Sequence, residues 1–422
     1  MQLVERHIIK KGNYYYKELD ETSYKSKNLY NSALYYVRQQ FFNTGKYINY
    51  ESLYRKFYDE QQPDYFSLPA NVAQQTMKMV HKNFKSFFEA NKKYKKDSSK
   101  FTSKPKIPKY LDKQKGRYLL TYTQRVISKK HLDKEHKLSL TGLHVLINTE
   151  LSYNCIQQVR IVHKLNYYVI EIIYNVNEIQ LKGDNNKYAS IDLGINNLAT
   201  VSSNVTKPFI VNGRPLKSIN HYYNKKKAKL QSQQKKNNKQ INRNKLRILE
   251  LKRKNLINNY LHKASRLLVN HLVSKEINTL IIGLNKKWKQ DINIGKVNNQ
   301  NFVQIPFNTF ISMLQYKCKF EGINVILQEE SYTSKASFLD RDFIPTYSKN
   351  NIKYEFSGYR CNRGLYKSNI FGYINADLNG SLNIMRKALH KNVIPNTNIV
   401  NGIQVCGVPS VINITEHNLL YF

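Results

Sequence analysis

Acidic residues are scarce in this chain of 422 residues: 29 Asp and Glu stand against 68 Lys and Arg, giving a formal net charge of +39. Such a field is explained most simply by a polyanionic partner, with nucleic acid as the default. Cysteine is also sparse. Cys155, Cys318, Cys361 and Cys406 are scattered and form no CxxC pair, which excludes a disulfide framework and a cysteine-only zinc site. No run of about 20 apolar residues suggests a membrane span, and no concentrated basic amphipathic helix suggests a membrane-surface role. The opening Met-Gln-Leu-Val-Glu-Arg-His lacks an apolar signal-peptide core, so the expectation is a cytoplasmic protein, nucleoid-associated in a prokaryotic host.

A length of 422 residues implies roughly two to four domains of about 150 residues each. Residues 1–18 read as a short strand pair. From Ser26, a plausible cap, Leu29, Ala33, Leu34, Val37 and Phe41 recur at helical steps. A second helix follows Leu68-Pro69, with Pro69 at its first position and Val72, Thr76, Met79, Val80, Phe84, Phe87 and Phe88 as its core stripe. Residues 91–117 lose periodicity and gather Lys, Pro and Ser, as in a basic extended connector. Lysines and aromatics interleave there, a pattern that also suits a phosphate backbone. Short alternating runs over 118–177 then indicate a small antiparallel sheet or barrel.

The chemistry begins after Lys187. Asp192 ends an apolar strand in Tyr-Ala-Ser-Ile-Asp-Leu-Gly-Ile-Asn-Asn-Leu-Ala-Thr-Val-Ser, followed by a tight Gly/Asn turn and a second strand. In RNase H-like folds such a hairpin presents the first metal ligand. Asp377, in Ile-Asn-Ala-Asp-Leu-Asn-Gly-Ser-Leu-Asn-Ile, reads as the start of a helix, where the macrodipole favours a negative group and either Asn375 or Asp377 can cap. Two acids from opposite ends of one fold suggest a divalent-metal nuclease. Between Leu193 and Leu249 there is no Asp or Glu, while Lys225, Lys226, Lys227, Lys229, Lys235, Lys236 and Arg243 accumulate. That run leads into an amphipathic helix, so a helical hairpin with one basic face is expected. Thr279-Leu-Ile-Ile-Gly reads as a buried strand, about Pro306 to Phe320 as a helix, and Asn324 to Glu330 as a further strand.

In this order, Asp192, the basic hairpin, Leu-His-Lys-Ala-Ser (261–265), Ser-Tyr-Thr-Ser-Lys (331–335), Arg-Gly-Leu-Tyr (363–366) and the Asp377 segment resemble the TnpB family. These are insertion-sequence-encoded RNA-guided DNA endonucleases related to type V CRISPR effectors and Fanzor proteins. The resemblance implies an α+β multidomain fold. A wedge-type β-barrel would take residues 1–20 and 105–185, a helical recognition insert 21–104, a RuvC-type (RNase H-like) nuclease domain 186–390, and a C-terminal tail 391–422. It implies a guide RNA from the protein's own element and target double-stranded DNA as partners, with no membrane. The N-terminal helices would help read a target-adjacent motif, and Gln74, Gln75 and Lys78 are candidates because Gln can pair with adenine in a major groove.

Two departures from the family pattern matter. Family members usually carry a catalytic Glu at the end of the middle strand, where this chain has Gly283. Some relatives instead place a Glu three residues before the Thr of Thr-Ser, which is Glu330 here, with Glu329 as the alternate because neighbouring strand residues face opposite ways. Asp192, Glu330 and Asp377 are therefore expected to bind two Mg²⁺ (or Mn²⁺) ions about 3.5–4 Å apart. The second departure is at the zinc ribbon. Only Cys361 remains there, and tetrahedral zinc needs four Cys or His ligands, so 335–373 is expected to be a metal-free insert held by packing. The rival functions are a nuclease-dead, RNA-guided DNA-binding repressor, favoured by Gly283, and an ordinary DNA strand-transfer transposase with no RNA requirement.

Overall fold

The structure is a computed structural model, and it describes residues 1–236, 243–285, 300, 303–346, 353–389 and 409–414. The chain divides into two compact units, Met1–Asn177 and Glu178–Phe422. The first runs β1 (Gln2–Lys10), α1 (Tyr16–Thr44), α2 (Tyr50–Asp59), α3 (Pro63–Phe66), α4 (Ala70–Lys96), β2 (Leu120–Thr123), α5 (Lys129–Glu135), β3 (Lys137–Ser139), β4 (Leu146–Asn148), β5 (Ile156–His163) and β6 (Tyr167–Asn175).

Four strands form an antiparallel sheet in the order β1-β6-β5-β2, and β3 pairs with β4. β1 is thus not half of a local strand pair. Its partner is β6, from Gln2↔Asn175 to Lys10↔Tyr167, and a partner so distant in sequence leaves no hairpin signal. α1 starts ten residues before Ser26, whose hydroxyl bonds Thr76 Oγ1 at 3.1 Å and Leu119 O at 3.2 Å. Ser26 therefore ties α1 to α4 and β2 instead of capping a helix. α1 ends at Gly45, whose φ of 67° is left-handed and whose N–H bonds Phe41 O. On α4, Pro69 sits at the cap, and Met77 rather than Met79 joins Val72, Ala73, Thr76, Val80 and Phe84 in the core, following the 73–77–80–84 helical row. The basic connector lies against α1: Asn31 exchanges two hydrogen bonds with the backbone of Leu111, Lys27 donates to Lys113 O at 2.7 Å and Arg38 to Pro108 O at 3.3 Å.

The second unit runs β7 (Tyr188–Leu193), β8 (Asn197–Ser203), β9 (Phe209–Asn212), α6 (Arg214–Lys236), α7 (Arg243–Ser274), β10 (Thr279–Gly283), α8 (Phe307–Phe320), β11 (Asn324–Gln328), β12 (Tyr359–Asn362), β13 (Leu365–Lys367), β14 (Tyr373–Asn375), α9 (Ala376–Leu389) and β15 (Ser410–Ile412). Its main sheet has the order β11-β10-β7-β8-β9-β15. β8 runs antiparallel to both β7 and β9, β10 lies parallel between β7 and β11, and β15 adds parallel to β9. The region read from sequence only as a tail therefore supplies an edge strand; of 391–422 only 409–414 belong to the described residues. The buried side chains of β7–β10 form one core with α7 and α8, including Leu261, Leu268, Phe307 and Phe310. α9 packs against β7, β8 and β10. There Ser190, Ser202 and Ser381 share a buried hydroxyl network, with Oγ–Oγ distances of 2.7 Å (190–202) and 2.9 Å (202–381).

One cation is buried between α7 and α8. Lys317, only 4% exposed, donates to His262 O at 2.8 Å and Ser265 Oγ at 2.6 Å, so the Leu-His-Lys-Ala-Ser segment has a packing role. Loss of water, helped by the charge of Arg266, lowers its pKa from 10.5 to about 8. Between those values the unfolded chain holds a proton that the folded chain has released, so this residue makes stability rise with pH. Denaturant unfolding of the wild type should gain on the order of 2 kcal/mol relative to Lys317→Met between pH 8 and 10. Parallel pH profiles would contradict this.

Candidate active site

Three acidic residues are brought to the seam between the sheet and α9. Asp192 shares a face of β7 with Ser190, as strand alternation requires, and both face α9. A Cβ at Gly380 would lie 2.7 Å from Asp192 Oδ2, so α9 needs glycine there to approach so closely. Burial, and then the charges of Glu330 and Asp377, push the Asp192 carboxyl well above its usual range, with Arg360 opposing.

Glu330 follows β11. Its N–H donates to Asn285 Oδ1 at 3.2 Å, and its carbonyl accepts from the Thr333 hydroxyl at 2.8 Å, which gives Ser-Tyr-Thr-Ser a turn-closing role. Its Oε2 lies 2.7 Å from where a Gly283 Cβ would stand. The missing side chain of the middle strand is thus the space the Glu330 carboxyl enters. Burial, and next the charge of Glu329, raise its pKa to about 7. Glu329 is turned to other partners, Lys387 Nζ at 2.5 Å and the Ser331 N–H at 2.9 Å. Burial works to raise its pKa, but these hydrogen bonds prevail and lower it.

Asp377 opens α9. The helix is capped by Asn375, whose Oδ1 accepts from the N–H groups of Asp377 at 3.0 Å and Leu378 at 3.1 Å. The Asp377 carboxylate is left for Asn197 Nδ2 at 2.7 Å and Arg360 Nη2 at 3.3 Å. Among the described residues no group of three or more His, Cys, Asp or Glu side chains is placed to hold a metal ion; Asp192, Glu330 and Asp377 are related through charge and packing. Beside Asp377 a cleft of about 810 Å³ is lined by Asn196, Asn197, Arg214, Arg360 and Arg363. Asn197, Arg360 and Lys387 were not singled out from sequence, because each acts through a partner distant along the chain.

The remaining candidates lie elsewhere. Gln74 and Gln75 are half-buried on α4, with Gln74 bonded to Tyr65, and exposed Lys78 lies over the Tyr50 ring at 5.2 Å. Lys225, Lys226 and Lys229 are exposed on α6, Lys227 is half-buried near the Tyr223 ring, and Arg243 is exposed at the start of α7. Lys235 and Lys236 end α6, their side chains lying outside the described residues. In the insert at 335–373, of which 347–352 lie outside the described residues, carboxylates join the loops. Asp340 accepts from Ser368 Oγ at 2.6 Å, Asn369 N at 2.9 Å and Ile370 N at 3.1 Å, and Asp342 from Ser337 N at 2.7 Å.

The packing over Gly283 yields a test. A Cβ there would stand 2.5 Å from Ile384 Cδ1 as well as against Glu330, so Gly283→Ala should destabilise the protein by about 1–3 kcal/mol through overpacking. In an Ile384→Ala background, itself destabilised, the further change Gly283→Ala should cost less than it does in the wild type. Equal unfolding midpoints for wild type and Gly283→Ala would show the space to be free.

The model of a family described as a probable transposase, OrfB_IS605, matches residues 171–289, and the Cas12f1-like TNB domain matches residues 307–384. No curated protein matches the sequence. Among solved structures, the Cas12f1 chain of a Cas12f1–sgRNA–target DNA complex is 14% identical with a TM-score of 0.50, covering 87% of this chain and 81% of that one. A CRISPR-Cas12f ternary complex is 15% identical (TM-score 0.36; 87% and 80% covered), and the mini-RNA-guided endonuclease CRISPR-Cas_phi3 is 11% identical (TM-score 0.42; 94% and 93% covered). At 14% identity the likeness to the first of these is one of fold, an α+β multidomain architecture. The two matched segments lie in the order the sequence motifs give them, and over those residues the chain is similar to the transposase family and to the Cas12f1-like domain.

Proposed function

We propose that this chain is a transposable-element-encoded RNA-guided DNA endonuclease that cuts beside a short target-adjacent motif. The observation that carries the proposal is the Glu330 carboxyl standing over Gly283, just past the end of β11 and across β10 from the strand of Asp192. The strand order β11-β10-β7-β8-β9, antiparallel in β7–β9 and parallel through β10 and β11, supports an RNase H-like, RuvC-type reading of 186–390. We assign the sheet of the first unit to a wedge-type barrel (1–20 and 105–185) and its helices to the recognition insert (21–104). The guide RNA would read sequence by pairing, while the protein holds the heteroduplex by its backbone. The +39 charge and the lysines of α6 suit that partner.

The donor chemistry fits Mg²⁺ or Mn²⁺: all three side chains offer hard oxygens, and Asp192 and Glu330 are half-buried acids whose charges repel. Asp192, Glu330 and Asp377 would hold two ions, which when bound activate water and stabilise the leaving 3′ oxygen. The chain's own residues do the positioning. Asn197 and Arg360 orient Asp377, Lys387 draws Glu329 aside so that Glu330 faces inward, and the arginine-lined cleft offers a place for phosphate. We assign no zinc to 335–373, where Asp340 and Asp342 join the loops.

The nuclease-dead repressor remains the second reading, favoured by Gly283. It would leave the half-buried Glu330 carboxyl without a role, although that burial costs stability. The test is small-RNA sequencing of the purified protein, then cleavage of a plasmid library with a randomised flank in Mg²⁺. Co-purified RNA from the neighbouring locus and cuts beside one motif support the proposal. Guided binding without cutting supports the repressor, and RNA-independent strand transfer supports a transposase.

Two predictions follow from the residue roles. Glu330→Ala should lower cleavage by about a hundredfold or more with guided binding intact, and Glu329→Ala should do less; a reversed order would move the role to Glu329. Changing Lys225, Lys226, Lys227 and Lys229 together to Gln should weaken target binding and flatten its log-salt slope by up to about three units without altering which sequences are cut. An unchanged slope would make the α6 run a solvated face.

A further inference from the structure

Three hydroxyls are buried where α9 crosses the main sheet, and two carboxylates of the site stand one step away from them. Ser190 lies two residues before Asp192 on the same face of β7, a rise of about 6.6 Å. Ser381 lies four residues after Asp377 on α9, one helical turn or about 6 Å along the axis. Ser202 of β8 is the register partner of Ser190, as Thr200 is of Asp192. None of the three serines is more than 1% exposed, yet every hydroxyl proton has an acceptor. Ser190 Oγ donates to Ser381 O at 2.7 Å, and Ser381 Oγ donates back to Ser190 O at 3.1 Å. The Ser202 hydroxyl is left to donate to Ser190 Oγ at 2.7 Å or to Ser381 Oγ at 2.9 Å. Strand and helix are thus tied by a reciprocal pair of side-chain-to-backbone bonds, and the third hydroxyl braces both donors.

We propose that Ser190, Ser202 and Ser381 are positioning residues: their hydroxyl knot fixes the slide of α9 along β7, and so sets the spacing of Asp377 from Asp192 on which metal affinity depends. The inference rests on the nuclease reading and deepens it. Apolar packing is non-directional, so the side chains that α9 buries, Leu378, Leu382, Ile384 and Met385, fix how deep the helix lies but tolerate small shifts along its axis. Hydrogen bonds weaken beyond about 3.2 Å and away from linearity, so the knot holds that register to a fraction of an ångström. Gly380 sets the closest approach at the same place, since a Cβ there would stand 2.7 Å from Asp192 Oδ2. Metal ligands need such accuracy, because a displacement of about 1 Å is enough to loosen a site. Alanine at the three positions would fill nearly the same volume with no hydroxyl to desolvate. A seam that needed packing alone would be served as well by alanine, and the serines add direction.

The test compares the wild type with a triple variant, Ser190→Ala with Ser202→Ala and Ser381→Ala, in the full chain freed of nucleic acid. Removing all three hydroxyls leaves none orphaned, so the denaturant midpoint of unfolding should stay near that of the wild type. Mn²⁺ binding is read from the loss of the free-ion EPR signal, with Asp192→Ala as the blank for ions held elsewhere. The Kd of the sites that Asp192→Ala abolishes should rise about tenfold or more in the triple variant. If that variant fails to fold, single changes decide. Ser381→Ala, which breaks one of the two bonds across the seam, should weaken Mn²⁺ binding about tenfold, and Ser202→Ala, which leaves both, should change it less than about threefold. A folded triple variant with wild-type affinity for Mn²⁺, or failing that a Ser381→Ala chain with wild-type affinity, would overturn the proposal and leave the nuclease reading in place. Wild type and Asp192→Ala binding Mn²⁺ alike would instead sink the metal-dependent nuclease reading, and this inference with it.

Discussion

The Glu330 carboxyl enters the space that a side chain on Gly283 would need, and the site is arranged around that exchange. A carboxylate at residue 283 and one at residue 330 would contend for the same volume, since the Glu330 Oε2 stands 2.7 Å from the position of a 283 Cβ. Because β10 lies between β7 and β11, an acid past the end of β11 has to reach over Gly283 to approach Asp192. The change alters which strand supplies the group while leaving the sheet order intact.

Supporting contacts act in the same direction. β11 ends at Gln328, short of the expected Glu330; Lys387 and the Ser331 N–H draw Glu329 to one side, while the Glu330 carboxyl stands over Gly283. Gly380 and Ser381 let α9 lie close enough to bury Asp192 and to join the Ser190–Ser202 hydroxyls. Asn375 takes over the helix cap, which leaves the Asp377 carboxylate to Asn197 and Arg360. Each contact fixes a direction, and together they set half-buried acids close enough to raise the Asp192 pKa.

Much of the second unit could be read from sequence because its signals are local. The apolar runs at 188–193 and 279–283 became β7 and β10, and the 307–320 periodicity became α8. The first unit was harder. β1 pairs with β6, a partner 157 to 173 residues away in register, and the early part of α1 carries Ser23, Ser26 and Lys27 as buried polar residues. At the site, Asp192 and Asp377 stand out as acids in apolar settings, and Glu330 was found only through a motif offset. Asn197, Arg360 and Lys387 left no signal, since their meaning lies in which carboxylate they meet. The Asp340 and Asp342 contacts were equally hidden, because aspartates in a turn-rich stretch look like ordinary loop residues.

The central claim is that Glu330 replaces the carboxylate lost at residue 283 and completes a metal-binding set with Asp192 and Asp377. Anomalous diffraction from crystals grown with Mn²⁺ tests it directly. The account predicts a Mn²⁺ peak bounded by oxygens of Asp192, Glu330 and Asp377, with Glu329 still on Lys387. A peak bound by Glu329 with Glu330 turned away, or no Mn²⁺ at the seam between the sheet and α9, would contradict it.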